Sequence, residues 1–170
     1  MSLAGDVLES AKASNTRLAF AESLTGGALS SAVVEVAGAS QVLLGSIVAY
    51  DHSAKHGVLG VTRSLLANQG AVDPEVAVQM AQAVAAKFTA ALAQTDASVL
   101  GVATTGVAGP DPQDGKPVGL VYIALSLGQR VEVHECMFEG DRASIRESTV
   151  NAAMQLILDF LGTQQVHSQL

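Results

Sequence analysis

Segments with helical and with strand periodicity alternate along most of this chain, and then two strands follow one another directly. Leu3, Val7 and Leu8 lie at helical spacing and predict a helix over residues 4–14. The apolar run 17–21 predicts a short buried strand. The turn Thr25-Gly26-Gly27 opens a helix to about Val36, with Gly38 as its C-cap signal. Residues 42–50 predict a long strand, 53–58 one or two helical turns, and 62–69 a short helix with Thr62 as N-cap. The clearest helix is 74–94, where Asp73 is the N-cap and Pro74 suits the first turn. Its residues Val76, Met80, Val84, Phe88 and Leu92 form a stripe facing the core. A buried strand at 98–104 is followed by a Gly/Pro/Asp-rich loop over 105–116. Strands at 118–127 and 130–138 are joined at Gly128-Gln129 as a hairpin. Asp141 caps a last helix over 141–161, with Ile145, Ala152, Leu156, Ile157, Phe160 and Leu161 inward; the polar tail 162–170 is expected to fray. This order predicts an α/β fold, a three-layer α/β/α sandwich with a mixed central sheet. Its 170 residues favour one domain, with a core over about 6–161.

Composition restricts what such a domain does. The chain is 49% hydrophobic and 15% charged, which excludes a disordered chain. Aromatic residues are 4% and tryptophan is absent, so the core is built from Ala and Val. That apolar surplus also fits a shared interface, and a homo-oligomer, a dimer, is expected. With 9 basic against 16 acidic residues the net charge is −7, and the cations are scattered, so no nucleic-acid partner is expected. No apolar run approaches the ~20 residues of a membrane span, and no membrane partner is expected. The amino terminus has neither the basic nor the apolar region of a signal peptide, which makes the cytoplasm the expected location. Cys136, the one cysteine, reads as a small buried hydrophobe in a reduced compartment.

Four segments carry chemistry. In Ala21-Glu22-Ser23-Leu24-Thr25-Gly26-Gly27 a buried strand ends at a serine, and two glycines start a helix. Such a turn either caps a helix or aims a side chain and free N–H groups at a phosphate or an oxyanion. In Tyr50-Asp51-His52-Ser53-Ala54-Lys55 a lysine follows a strand end by about one turn. It is either a solvated surface lysine beside a core tyrosine, or a desolvated base that activates a hydroxyl. Thr104-Thr105-Gly106-Val107-Ala108-Gly109-Pro110-Asp111 is either a tight crossover or the wall of a site at a strand end. Arg142 and Arg146 share a helix face near its first turns, beside either an anion or Glu139, Asp141 or Glu147. His52 and His56 are four apart, but no partner completes a metal motif, and no metal is expected.

Taken together and in order, these segments resemble the C-terminal domain family of the competence/damage-inducible protein CinA, which includes stand-alone nicotinamide mononucleotide deamidases. The resemblance runs from about residue 6 to 161. It rests on the serine turn, Gly38-Ala39-Ser40, Tyr50 with Lys55, Leu59-Gly60-Val61, Gly70-Ala71-Val72, Thr105 to Pro110, Lys116 to Gly119, and Gly140-Asp141-Arg142. Leu24 stands where the family usually has cysteine, and Leu120 where threonine is common. The resemblance implies hydrolysis of the nicotinamide mononucleotide carboxamide to nicotinic acid mononucleotide and ammonia, without metal or organic cofactor. It implies Ser23 as nucleophile, Lys55 as its activator and Tyr50 in support. It places Thr25, Gly26 and Gly27 at the oxyanion, Thr105 and Gly106 along the site, and Arg142 and Arg146 near the nucleotide phosphate. Larger family members carry a further amino-terminal domain, for which 170 residues leave no room. The alternative function is an inactive nucleotide-binding or regulatory protein of the same family.

Overall fold

A computed structural model describes residues 2–92 and 96–167, with the backbone alone at 164–167. The chain runs α1 (Leu3–Ala13), β1 (Thr16–Glu22), α2 (Ala28–Val34), a 3-10 turn (Ala39–Gln41), β2 (Leu43–Val48) and α3 (His52–Gly57). It continues as α4 (Arg63–Gln69), α5 (Pro74–Ala91), β3 (Ser98–Gly106), β4 (Leu120–Leu127), β5 (Arg130–Met137) and α6 (Arg142–His167). The five strands form one sheet in the order β2-β1-β3-β4-β5. β2, β1 and β3 are parallel, whereas β4 and β5 are antiparallel to their neighbours, so the sheet is mixed as expected.

The two faces of the sheet carry side chains of different size. Leu18, Phe20, Leu100, Val102, Ile123 and Leu125 point to a core shared with α1, α2 and α6. On the alternate positions Ala19, Ala21, Ala103 and Ala124 face α5 and the α3–α4 segment. Period-two alternation separates the sets. Small residues let α5 lie close to the strands: a Cβ on Gly101 would sit 2.1 Å from the Ala81 carbonyl oxygen of α5. The Ala-rich composition therefore marks one face of the sheet. With helices on both faces, the three-layer α/β/α arrangement is observed.

Several boundaries differ from expectation. α2 stops at Val34, and Gly38 starts the 3-10 turn instead of closing α2. The Thr62 hydroxyl caps nothing; its N–H donates to Gln79 Oε1 of α5, so tertiary packing fixes the start of α4. Asp73 does cap α5 by accepting from Glu75 N. Val76, Met80 and Val84 are fully buried, with Phe88 and Leu92 packed at the margin. Residues 93–94 of that expected helix lie outside the described residues. On α6 the buried apolar set is Ile145, Val150, Ala153, Met154, Ile157, Phe160 and Leu161; Ala152 and Leu156 sit at its flank. The helix continues to His167, past the fraying expected from Gly162, and residues 168–170 lie outside the described residues. Cys136 is half-buried, not buried, because β5 is an edge strand, and burial still pushes its thiol pKa up.

The carboxyl ends of β1, β2, β3 and β5 lie at one edge of the sheet, where β4 begins. That edge collects Ser23, the Tyr50–Lys55 segment, the Thr105 loop and the start of α6. It is the position where open α/β sheets place their sites.

Candidate active site

Ser23 follows the last residue of β1, and its N–H donates to Thr104 O of β3 at 2.9 Å. The chain then turns sharply, with Gly26 N donating to Ser23 O and left-handed backbone at Gly26 (φ 59°) and Gly27 (φ 96°). A side chain at either position would be strained, which accounts for the glycine pair. The start of α2 has no serine or threonine cap. Instead the fully buried Glu22 carboxylate accepts from Gly27 N and Leu29 N at one oxygen, and from Ser30 N and Ser46 Oγ at the other. A carboxylate surrounded by four donors is stable without solvent. It also occupies the end of α2, so the oxyanion role expected of Gly27 N is not available to a ligand. Thr25 is buried, its hydroxyl sharing a hydrogen bond of 2.8 Å with that of Thr104.

Lys55 lies on α3, whose N-cap Asp51 accepts from both Ser53 N and Ser53 Oγ. These bonds hold the Asp51 carboxyl below the usual carboxylate range. Lys55 is fully buried, and its Nζ lies 2.8 Å from Ser23 Oγ. Nζ also donates to Ala49 O at 2.8 Å and Tyr50 O at 3.0 Å. Burial pulls the Lys55 pKa down to about 8, against the opposing pull of the Asp51 charge. A neutral amine has two N–H groups and one lone pair. The two carbonyls, which can only accept, take both N–H groups. The lone pair then faces the Ser23 hydroxyl.

Ser23 and Lys55 form the floor of a cavity of about 430 Å³. Tyr50, Asp51, His52, Thr105, Gly106 and Arg142 also line it, as does the Val107–Gly109 loop. The volume suits a small ligand. Thr105 is fixed by donating to Ala71 O at 2.7 Å. At the mouth Arg142 donates to Tyr50 Oη at 2.8 Å and to Gly109 O at 2.7 Å. Both acceptors are neutral, and no ion pair engages Arg142 among the described residues. His56 Nδ1 is engaged with Val61 O, and the described residues include no group of three potential metal ligands. No helix of the described residues is long and apolar enough to cross a membrane.

A sequence model of the CinA C-terminal domain matches residues 1–161. The chain belongs to the CinA C-terminal domain family. It is 44% identical over 144 residues to a competence-damage inducible protein of Desulforamulus reducens, covering 85% of this chain and 33% of that relative. A CinA-like protein of Frankia casuarinae is 40% identical over 156 residues, covering 92% and 34%. The chain thus spans about a third of the length of these curated relatives. A CinA superfamily protein from Klebsiella pneumoniae superposes with a TM-score of 0.87 at 28% identity, covering 95% and 96% of the two chains. A competence/damage-inducible protein from Agrobacterium tumefaciens gives 0.83 at 34% identity, covering 94% and 93%.

Against this CinA-family background, the structure brings Ser23, Lys55, Tyr50, Thr105, Gly106 and Arg142 to one cavity. Thr25, Gly26, Gly27 and Arg146 are not on its wall; they support the Ser23 turn from behind. The Tyr50 hydroxyl bonds Arg142, and it is the Tyr50 carbonyl that contacts Lys55. Arg142 and Arg146 share a helix face, yet they serve different places, because the second is turned to Leu24 O and Thr25 O. Glu22 escaped sequence reasoning. A carboxylate in an apolar strand, four residues before a glycine pair, is its available signal.

Proposed function

We propose that this chain hydrolyses the carboxamide of nicotinamide mononucleotide to nicotinic acid mononucleotide and ammonia. The observation that carries the reading is the 2.8 Å contact between Ser23 Oγ and a fully buried lysine amine that no carboxylate pairs among the described residues. Ser–Lys pairs are a known alternative to Ser–His for activating a hydroxyl. Amides are poor electrophiles, and a covalent intermediate divides their hydrolysis into two easier steps. The Ser23 proton passes to the Lys55 lone pair as Oγ bonds the amide carbon. The carbonyl π pair moves to oxygen. As the tetrahedral species collapses, the C–N bond breaks, and the Lys55 ammonium gives its proton to the departing nitrogen, which leaves as ammonia. Water then attacks the Ser23 ester and gives a proton to Lys55; as the bond from the acyl carbon to Ser23 Oγ breaks, the Lys55 ammonium returns that proton to Oγ and the acid is freed. Arg142, which among the described residues donates to neutral acceptors, exchanges them for the nucleotide phosphate in this reading. The chemistry needs neither metal nor organic cofactor.

The test is ammonia release from nicotinamide mononucleotide at high enzyme concentration. Wild type releases it in step with nicotinic acid mononucleotide. Ser23→Ala and Lys55→Ala each lower kcat by at least about a thousandfold, the scale on which members of a catalytic unit fail singly. Nucleotide binding without product would favour the inactive, regulatory alternative.

A further inference from the structure

Arg146 is a cation with no carboxylate within ion-pair distance among the described residues. Its Nε donates to Leu24 O at 3.0 Å and its Nη2 to Thr25 O at 2.9 Å. A Cβ on Gly26 would sit 3.7 Å from Nη2, so the guanidinium lies against the turn itself. Of the backbone N–H groups from Leu24 to Ser30, Gly26 donates to Ser23 O and Ala28 to Thr25 O. Gly27, Leu29 and Ser30 donate to Glu22. Those of Leu24 and Thr25 have no acceptor among the described residues, and Leu24 both adjoins Ser23 and lines the cavity. By holding the carbonyl oxygens of Leu24 and Thr25, Arg146 fixes the backbone that carries the Leu24 N–H.

We propose that Arg146 is a positioning residue for the oxyanion. It fixes the turn by holding the Leu24 and Thr25 carbonyls, so that the N–H of Leu24, the residue after Ser23 and one that lines the cavity, receives the charge that develops on the substrate oxygen. This rests on the reading of Ser23 as nucleophile. When Ser23 Oγ bonds the amide carbon, the π pair moves to oxygen and the proton goes to Lys55. Arg146 touches none of the reacting atoms. The role differs from phosphate recognition, which the mouth geometry leaves to Arg142.

The two roles separate in steady-state kinetics on nicotinamide mononucleotide and on nicotinamide riboside, which lacks the phosphate. Arg146→Ala is expected to lower kcat by about 100-fold, as removal of an oxyanion donor does, with KM within about twofold and equal losses on both substrates. Guanidinium ion in the assay should restore part of that kcat and leave wild type unchanged. A rise in KM confined to the phosphorylated substrate, with kcat retained, overturns the proposal. Should Arg146→Ala fail to fold by circular dichroism, Arg146→Lys carries the test, because it keeps the charge and one hydrogen bond. A fall in its kcat supports the role and an unchanged kcat refutes it. If wild type cleaves neither substrate, the deamidase reading fails separately. Covalent labelling of Ser23 by a fluorophosphonate, read by intact mass, then decides on Arg146. Labelling of wild type at least about tenfold faster than of the variant supports the proposal; equal rates, or no labelling of wild type, overturn it.

Discussion

Burying an ammonium that no carboxylate pairs destabilises a folded chain, and among the described residues Lys55 is such a group. Its folded pKa of about 8 lies below the ordinary 10.5. Between those two values the unfolded chain holds more protons than the folded one, so the unfolding free energy rises with pH. The gain is about 3 kcal/mol across the window, and none of it is present below the folded pKa. Chemical denaturation from pH 7 to 10.5 should show this rise in wild type and lose it in Lys55→Met. The amine form is the base, so kcat/KM should climb with pH and level off above about 8. The sequence made Lys55 and Ser23 legible because each follows a strand end, where side chains reach a site. It did not show where the Tyr50 phenol points, since its partner Arg142 lies 92 residues away in sequence.

At the scale of elements, the small-residue face of β1, β3 and β4 sets how closely α5 packs. Gly101→Ala tests this, because the new Cβ meets backbone at Ala81 O, which cannot rotate away. Overpacking of this kind costs about 1–3 kcal/mol, and the midpoint of urea unfolding should fall accordingly. Element types were legible because their apolar periods are distinct, as in the Val76–Val84 stripe and the β4–β5 hairpin at Gly128. Element ends were less so. The starts of α2 and of α4 are set by Glu22 and by Gln79, partners that local propensity does not record.

For the whole molecule, the expectation of a homodimer rests on apolar content, to which the structure adds Val34 and Val48, 62% and 49% exposed. Val48 lies on β2, an outer strand whose far edge pairs with no other strand in the sheet. Sedimentation equilibrium should give twice the 17.3 kDa of one chain, and Val48→Lys should shift the mass toward one. The layered architecture was legible from the order of segments. The convergence of Ser23, α3, the β3–β4 loop and α6 on one cavity was legible only through the family resemblance, because it follows from strand order and register, which segment order alone does not fix.

The point where the sheet changes from parallel to antiparallel gives this convergence a further meaning. Residues 107–119 link β3 to β4 there, and part of that link forms a wall of the cavity. Ser23 and Lys55 belong to other segments. A link of this kind can lengthen at small entropic cost, roughly 0.6 kcal/mol per doubling. Descendants of such a chain can therefore exchange one ligand preference for another by editing a single surface segment, while the reacting pair is inherited intact.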